Sequence, residues 1–178
     1  MRGSTRAALG AHALAFLTVG TQRHRYDAVI AGLVAAGASA IPSTTWTLLV
    51  GGDILEGARA AGALILPNEH RTSRLLAAAV PVHVALSLGW ALILEALLPR
   101  RHEPLYGMLG GLGIAALDLG IVGRRIAAIR ALEQPPQWLD HAAYGLAVGL
   151  VLRRRRRDPS VASSPTRLTA LDAMQHAP

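Results

Sequence analysis

The sequence predicts an all-α polytopic membrane protein, a bundle of four transmembrane helices plus one short interfacial helix. Of the 178 residues, 52% are apolar and only 16% are charged, whereas about a quarter of the residues in soluble domains are charged. The mean hydropathy is +0.35. Aromatic residues supply only 4%, so Ala, Gly and Leu must form most of the helix contacts, as in closely packed membrane helices.

Four apolar segments come close to the ~20 helical residues that cross a hydrocarbon layer. They cover residues 28–50 (segment A), 75–98 (B), 105–122 (C) and 138–152 (D). Segment D is short, but the aliphatic stems of the arginines that follow it can extend its reach. We therefore expect the transmembrane domain to cover residues 27–152, between an N-terminal segment (1–26) and an arginine-rich run with a disordered tail (153–178).

Two stretches outside these segments are also apolar. Residues 7–20 follow two arginines and are typical of a signal peptide, of an interfacial helix or of an over-extended start. Between segments A and B, Asp53 is predicted to cap an interfacial helix of ~14 residues, with Glu56 and Arg59 on the same side as Asp53.

Small residues repeat every four positions on three segments, which predicts close helix contacts. The repeats are Gly32, Ala36 and Ala40 on A, Gly107, Gly111 and Ala115 on C, and His141, Gly145 and Gly149 on D. Asp118 continues the repeat on C, so we expect its side chain to face another helix.

The distribution of arginines predicts the orientation. All 18 basic residues are Arg, and 12 of them fall in the N-terminal segment, the loop between B and C, and the C-terminal segment. Four crossings place these three regions on one side, so the prediction is a multi-pass protein of the inner (plasma) membrane with its N-terminus and C-terminus in the cytoplasm.

Ionisable side chains in hydrocarbon cost several kcal/mol each, so they are candidate site residues. Antiparallel helices bring the polar residues of segments A to D to one depth, in the outer half of the bundle. The candidates are Asp118, His83, His141, Asp140, Ser43 and Thr44.

These residues support four interpretations. Asp118 can serve as a structural clamp, either by pairing with Arg124 or Arg125 or by accepting a neighbour's hydrogen bond. It can also act with His83 or His141 as a proton relay. The two histidines with Asp118 or Asp140 can bind a metal. A hydrolase would need Ser43 or Thr44 beside a His and an Asp, but no nucleophile motif surrounds them, so an enzyme is not favoured and no cofactor is predicted.

The expected partner is a bilayer with anionic headgroups. Five consecutive arginines follow segment D and are predicted to contact these headgroups: Arg153, Arg154, Arg155, Arg156 and Arg157. The net charge of +7 does not indicate nucleic acid, because the arginines flank apolar segments. The absence of Cys excludes disulfides and thiolate metal sites. A homo-oligomer is possible, because four short helices leave little room for a substrate path.

Three stretches, "IPSTTWTLLVGGDILEGARAAGALILP" (41–67), "VHVALSLGWALIL" (82–94) and "ALDLGIVGRRIAAIRALEQPPQWLDHAAYGLAVG" (116–149), resemble a group of small integral-membrane proteins of high-GC bacteria that has no established activity. The resemblance covers most of residues 41–149. It implies membrane location and the same helical layout, and implies nothing about chemistry. The predicted function is a small transport or membrane-assembly component, with a membrane-embedded enzyme or a metal-binding protein that uses His83, His141 and Asp118 as the alternative.

Overall fold

A computed structural model describes residue 22 and residues 24–158 of the chain. The signal-like stretch at residues 7–20 and the tail beyond residue 158 lie outside these described residues. Within them the secondary structure is helical, with no β-strand.

Seven α-helices follow one another in the described part of the chain. They are α1 (residues 24–38), α2 (Ile41–Val50), α3 (Glu56–Gly62), α4 (Thr72–Leu97), α5 (Glu103–Leu117), α6 (Ala127–Arg130) and α7 (Gln134–Arg157). A π-helical turn (Asp118–Val122) and a 3-10 turn (Gly123–Arg125) continue α5. Only Ser39 and Ala40 separate α1 from α2, so segment A forms one interrupted helix.

Among the described residues, three helices are long and apolar enough to cross a membrane: His24–Val50, Thr72–Leu97 and Glu103–Arg125. Only 22–28% of the most apolar stretch of each is buried inside the protein. Most of their apolar surface therefore faces outward. Hydrocarbon can cover this surface, whereas contact with water would have a large cost in free energy. A helical membrane protein is the class that fits this surface.

The prediction of four spans plus one interfacial helix is wrong in its count. Segment D does form a helix, the 24-residue α7, but α7 is not among the helices that are apolar enough to span. Its first two turns carry Gln134, Gln137 and Asp140, and its last turn is arginine. These polar ends leave only the middle of α7 apolar.

The apolar middle of α7 nevertheless lies in the core of the bundle. Val148 and Leu152 are fully buried there, and Tyr144 is 6% exposed. They pack with Ala31 and Ala35 of α1, Ala91 and Leu94 of α4 and Ile114 of α5. α7 therefore takes its stability from the helices around it.

Glycines hold α5 and α7 in backbone contact. A Cβ built on Gly111 would overlap the carbonyl oxygen of His141, and one on Gly145 would overlap that of Gly107. A Cβ on Gly149 would overlap the carbonyl oxygen of Glu103. The predicted small-residue repeats on segments C and D therefore face each other, which confirms that expectation. We call this contact the glycine seam.

The connection between α2 and α4 differs from the prediction. Its helix, α3, has seven residues rather than ~14, and Leu55 rather than Asp53 is its N-cap. Asp53 still accepts a hydrogen bond from the Leu55 N–H (2.9 Å) and pairs with Arg59 (2.5 Å). Leu55 N–H, and then Arg59, lower the pKa of the Asp53 carboxyl. Gly62 lies directly against the backbone of Leu75, so α3 is held on α4.

The glycine seam predicts a sharp difference between two Gly→Ala variants. Gly145→Ala inserts a methyl group into the backbone of α5, and we expect it to destabilise the protein by about 1–3 kcal/mol through overpacking. Gly113→Ala is the matched control, because nothing lies within 4 Å of its Cβ position and alanine favours helix by up to about 1 kcal/mol. Thermal unfolding in detergent measures both. Equal melting temperatures for the two variants would contradict the close contact.

Candidate functional site

Asp118 lies where α5 passes into the π-helical turn. Its Oδ2 accepts a hydrogen bond from Trp90 Nε1 of α4 (3.1 Å) and lies 3.7 Å from His141 Nε2 of α7. The side chains of Asp118 and His141 are 28% and 23% exposed. Three helices therefore meet at one carboxylate, as expected for a polar group that faces protein.

A second contact orients the His141 ring. Its Nδ1 lies 2.8 Å from the carbonyl oxygen of Gln137, and because a carbonyl can only accept, Nδ1 must carry the hydrogen. In the neutral imidazole Nε2 is then a lone-pair acceptor, and it points to the Asp118 carboxylate. When His141 is neutral and Asp118 is ionised, the two hydrogen-bond acceptors therefore face each other. Binding of one proton at His141 Nε2 would convert them into an ion pair.

The predicted pairing of Asp118 with Arg124 or Arg125 is wrong, but the other form of the predicted clamp, a hydrogen bond accepted from a neighbour, is present as the bond from Trp90. Among the described residues, no ion pair involves either arginine, and the partners of Asp118 are Trp90 and His141. Both arginines lie in the 3-10 turn and are exposed, whereas the Asp118 carboxylate faces side chains of α4 and α7.

Asp140 has a different role from Asp118. Its Oδ1 accepts a hydrogen bond from the backbone N–H of Ser43 (2.8 Å). That N–H is in the first turn of α2, whose N-cap Ala40 has no side chain able to cap it. A carboxylate at a helix N-terminus satisfies an unpaired donor and suits the helix dipole. Asp140 therefore caps α2 from a neighbouring helix.

The hydroxyl groups of the predicted cluster bond to their own helix. Ser43 Oγ donates to the carbonyl of Ala40 (3.4 Å), Thr45 Oγ1 donates to that of Ile41 (2.7 Å), and Thr44 is exposed. Among the described residues no histidine bonds to the Ser43 hydroxyl: His141 lies beside Asp118, and the contact of Asp140 is with the Ser43 backbone N–H. The geometry does not support a serine or threonine nucleophile.

His83 links two helices rather than joining the cluster. Its Nε2 donates to the carbonyl oxygen of Ala36 on α1 (3.0 Å). The structure therefore brings Asp118 to His141, and Ser43 to Asp140, and leaves His83 with a separate partner. Within residues 24–158 no three His, Cys, Asp or Glu side chains are grouped so that they could hold a metal ion.

Sequence reasoning missed two partners of this region. The first is Trp90, whose bond to Asp118 is not among the predicted contacts. The Tyr144 hydroxyl donates to the carbonyl of Ser87. A usable signal existed, because buried Trp N–H and Tyr O–H groups normally have a hydrogen-bond partner.

A second polar cluster occupies the opposite end of the bundle. Arg155 Nε pairs with Asp27 of α1 (2.5 Å), and Arg156 pairs with Glu95 of α4 (3.3 Å) and Glu103 of α5 (3.9 Å). The three carboxylate side chains are only 7–13% exposed. This arginine cluster joins the start of α1, the end of α4, the start of α5 and the end of α7, so these four termini share one end of the bundle.

The arginine cluster changes the predicted roles of the arginine run. Arg155 and Arg156 turn toward protein carboxylates, and Arg155 also lies over the Tyr26 ring, 5.4 Å from its centroid. Because the run continues helix α7, its side chains point in different directions around the axis. Contact with lipid headgroups stays a prediction for Arg153, Arg154 and Arg157.

No protein-family model, curated protein or solved structure matches this chain. The interpretation of the Asp118 site therefore rests on the geometry of its own side chains. That geometry contains a carboxylate, an oriented imidazole and an indole donor, contributed by three different helices.

The arginine cluster predicts that the arginines of the run contribute unequally to the free energy of unfolding. Arg156→Gln leaves the buried Glu103 without its cationic partner and leaves Glu95 with His24 (2.8 Å) alone, and we expect a loss of about 3 kcal/mol in unfolding free energy. Arg154→Gln removes the same charge from an exposed position and should change stability by less than about 0.5 kcal/mol. Denaturant unfolding in detergent measures the two values, and a similar loss in both would contradict the assigned pairing.

Proposed function

We propose that the protein is a small membrane transport component in which Asp118 and His141 bind and release one proton. The observation that carries the proposal is the separation of 3.7 Å between His141 Nε2 and Asp118 Oδ2, with His141 Nδ1–H already committed to Gln137. The pair accepts a proton at a defined position, since its two basic atoms face each other.

The chemistry of the two groups suits reversible protonation. Histidine is the side chain whose ordinary pKa lies close to physiological pH, and an ionisable pair inside a membrane protein is typical of proton relays. Trp90 donates to the same carboxylate oxygen, which holds the Asp118 carboxyl beside His141. Both side chains are about one quarter exposed.

We further propose that the protein lies in the plasma membrane with the arginine cluster in the cytoplasm. The cluster, the loop between α4 and α5 and the beginning of α1 lie at one end of the bundle. Among the described residues, eight arginines lie at this end (Arg25, Arg100, Arg101 and the run 153–157) and six at the other, and an excess of arginine is typical of the cytoplasmic side. The Asp118 and His141 pair then lies in the outer half.

A membrane-assembly component is the second candidate, and the glycine seam favours it. Helices joined by backbone contact form a rigid unit, in which Asp118 would only tie α4 and α7 to the end of α5. The two candidates differ in one property, because a structural tie needs the hydrogen bond to Asp118 but does not need its charge.

The Asp118→Asn variant separates the two candidates. The Asn oxygen can still accept from Trp90 Nε1, so we expect the melting temperature to stay within a few degrees of wild type, while proton flux into liposomes falls at least tenfold. Asp140→Asn is the matched control, since Asp140 caps α2 and should retain flux. Flux is measured with a pH-sensitive dye trapped in liposomes that contain purified protein.

Either of two results would reject the relay. Wild-type protein that moves protons no faster than protein-free liposomes excludes the transport proposal. Asp118→Asn protein with wild-type flux shows that the charge is not used. A lowered melting temperature in Trp90→Phe combined with normal flux would favour the assembly candidate.

The proposed orientation can be tested by thiol labelling, because the chain contains no Cys. We expect a cysteine at Arg100, which is exposed between α4 and α5, to be protected from an impermeant maleimide in intact cells. A cysteine at Asn68, exposed at the other end of α4, should react. Labelling of Arg100→Cys without permeabilisation would reverse the orientation.

A further inference from the structure

An open depression of about 580 Å³ lies beside the π-helical turn. Its lining comes from the π-helical turn, the 3-10 turn, α6 and the first turns of α7: Leu119, Gly120, Arg124, Arg130, Gln134 and Trp138. Ligand sites commonly have volumes of about 300–1,000 Å³. The depression is therefore large enough for a headgroup-sized ligand.

The polar lining is cationic. Among the described residues, no carboxylate pairs with Arg124 or Arg130, and Arg130 Nη1 makes one long contact with the carbonyl oxygen of Arg124 (3.5 Å). The nearby carboxylates have other partners: Glu133 accepts from the Trp46 indole, and Asp118 from Trp90. Two guanidinium groups without a carboxylate form a recognition site for phosphate.

The surroundings of the depression are apolar. Leu119 and the Trp138 ring form part of its wall, and the neighbouring Ile121, Val122 and Leu139 are 49–56% exposed. Tryptophan is enriched where a membrane protein crosses the headgroup level. A ligand for this place needs an anionic head for the arginines and an apolar part for the exposed side chains beside them.

We infer that this depression binds the phosphate of an anionic phospholipid, with Arg124 and Arg130 as the phosphate ligands. Basic pockets beside transmembrane helices bind lipid headgroups in this way. The inference does not depend on the proton pair, because neither Asp118 nor His141 contacts the phosphate in this arrangement. It also places a lipid site at the opposite end of the bundle from the arginine run.

Purified protein in detergent tests the inference by titration. We expect phosphatidylglycerol to raise the melting temperature, and phosphatidylcholine or inorganic phosphate at the same concentration to raise it far less. Arg124→Gln/Arg130→Gln should weaken the apparent affinity for phosphatidylglycerol about 25-fold, since each arginine beside an anionic lipid contributes roughly fivefold. Arg124→Gln alone should weaken the apparent affinity roughly fivefold. This single variant tests the site if the double variant does not fold.

Arg100→Gln/Arg101→Gln is the matched control, because it removes the same charge from the α4–α5 loop at the other end of the bundle. This control should keep the wild-type response to phosphatidylglycerol. An equal loss of response in the control would show attraction by net charge alone and would overturn the site. A response to inorganic phosphate equal to that to phosphatidylglycerol would overturn the assignment to a lipid, and an unchanged Arg124→Gln/Arg130→Gln variant would overturn the role of both arginines.

Discussion

The glycine seam between α5 and α7 is the contact on which the rest of the structure depends. Backbone can approach backbone only where no Cβ intervenes, and the positions that require this, Gly107, Gly111, Gly145 and Gly149, run along both helices. One end of the seam places His141 at Gly111, about two turns before Asp118. The other end places Glu103 at Gly149, within reach of Arg156. Both polar clusters are thus positioned by the same contact.

The two ends of the bundle carry different chemistry because of what surrounds each charge. At the arginine end, Arg155 and Arg156 are matched by buried carboxylates, which makes them structural. At the other end, Asp118 faces an imidazole and an indole, and Arg124 and Arg130 face an open depression. Asp118 has a titratable partner, and Arg124 and Arg130 have no carboxylate partner among the described residues, so these charges are available for proton or ligand binding. The arginines that are paired with buried carboxylates are not.

Helix content, the inward direction of Asp118 and the facing small-residue repeats could be predicted because each follows from local periodicity. The partner of Asp118 could not. Its identity depends on how α4 and α7 are rotated and placed against α5, because Trp90 and His141 come from those two helices. The span count failed because the ends of α7 are polar, which keeps it from being apolar enough to span, although α7 packs closely against α5 between His141 and Gly149.

The sequence by itself determined the class of this protein, because apolar content, low charge and helical periodicity are properties of the chain that survive any arrangement of its helices. It also determined which residues require a partner, because a carboxylate or a histidine in an apolar helix cannot be left unpaired. Only the tertiary structure decided who those partners are: His141 and Trp90 for Asp118, the Ser43 amide for Asp140, Glu95 and Glu103 for Arg156. Which residues pair across helices depends on the rotation and depth of each helix. The glycine seam and the π-helical turn together set that rotation and depth.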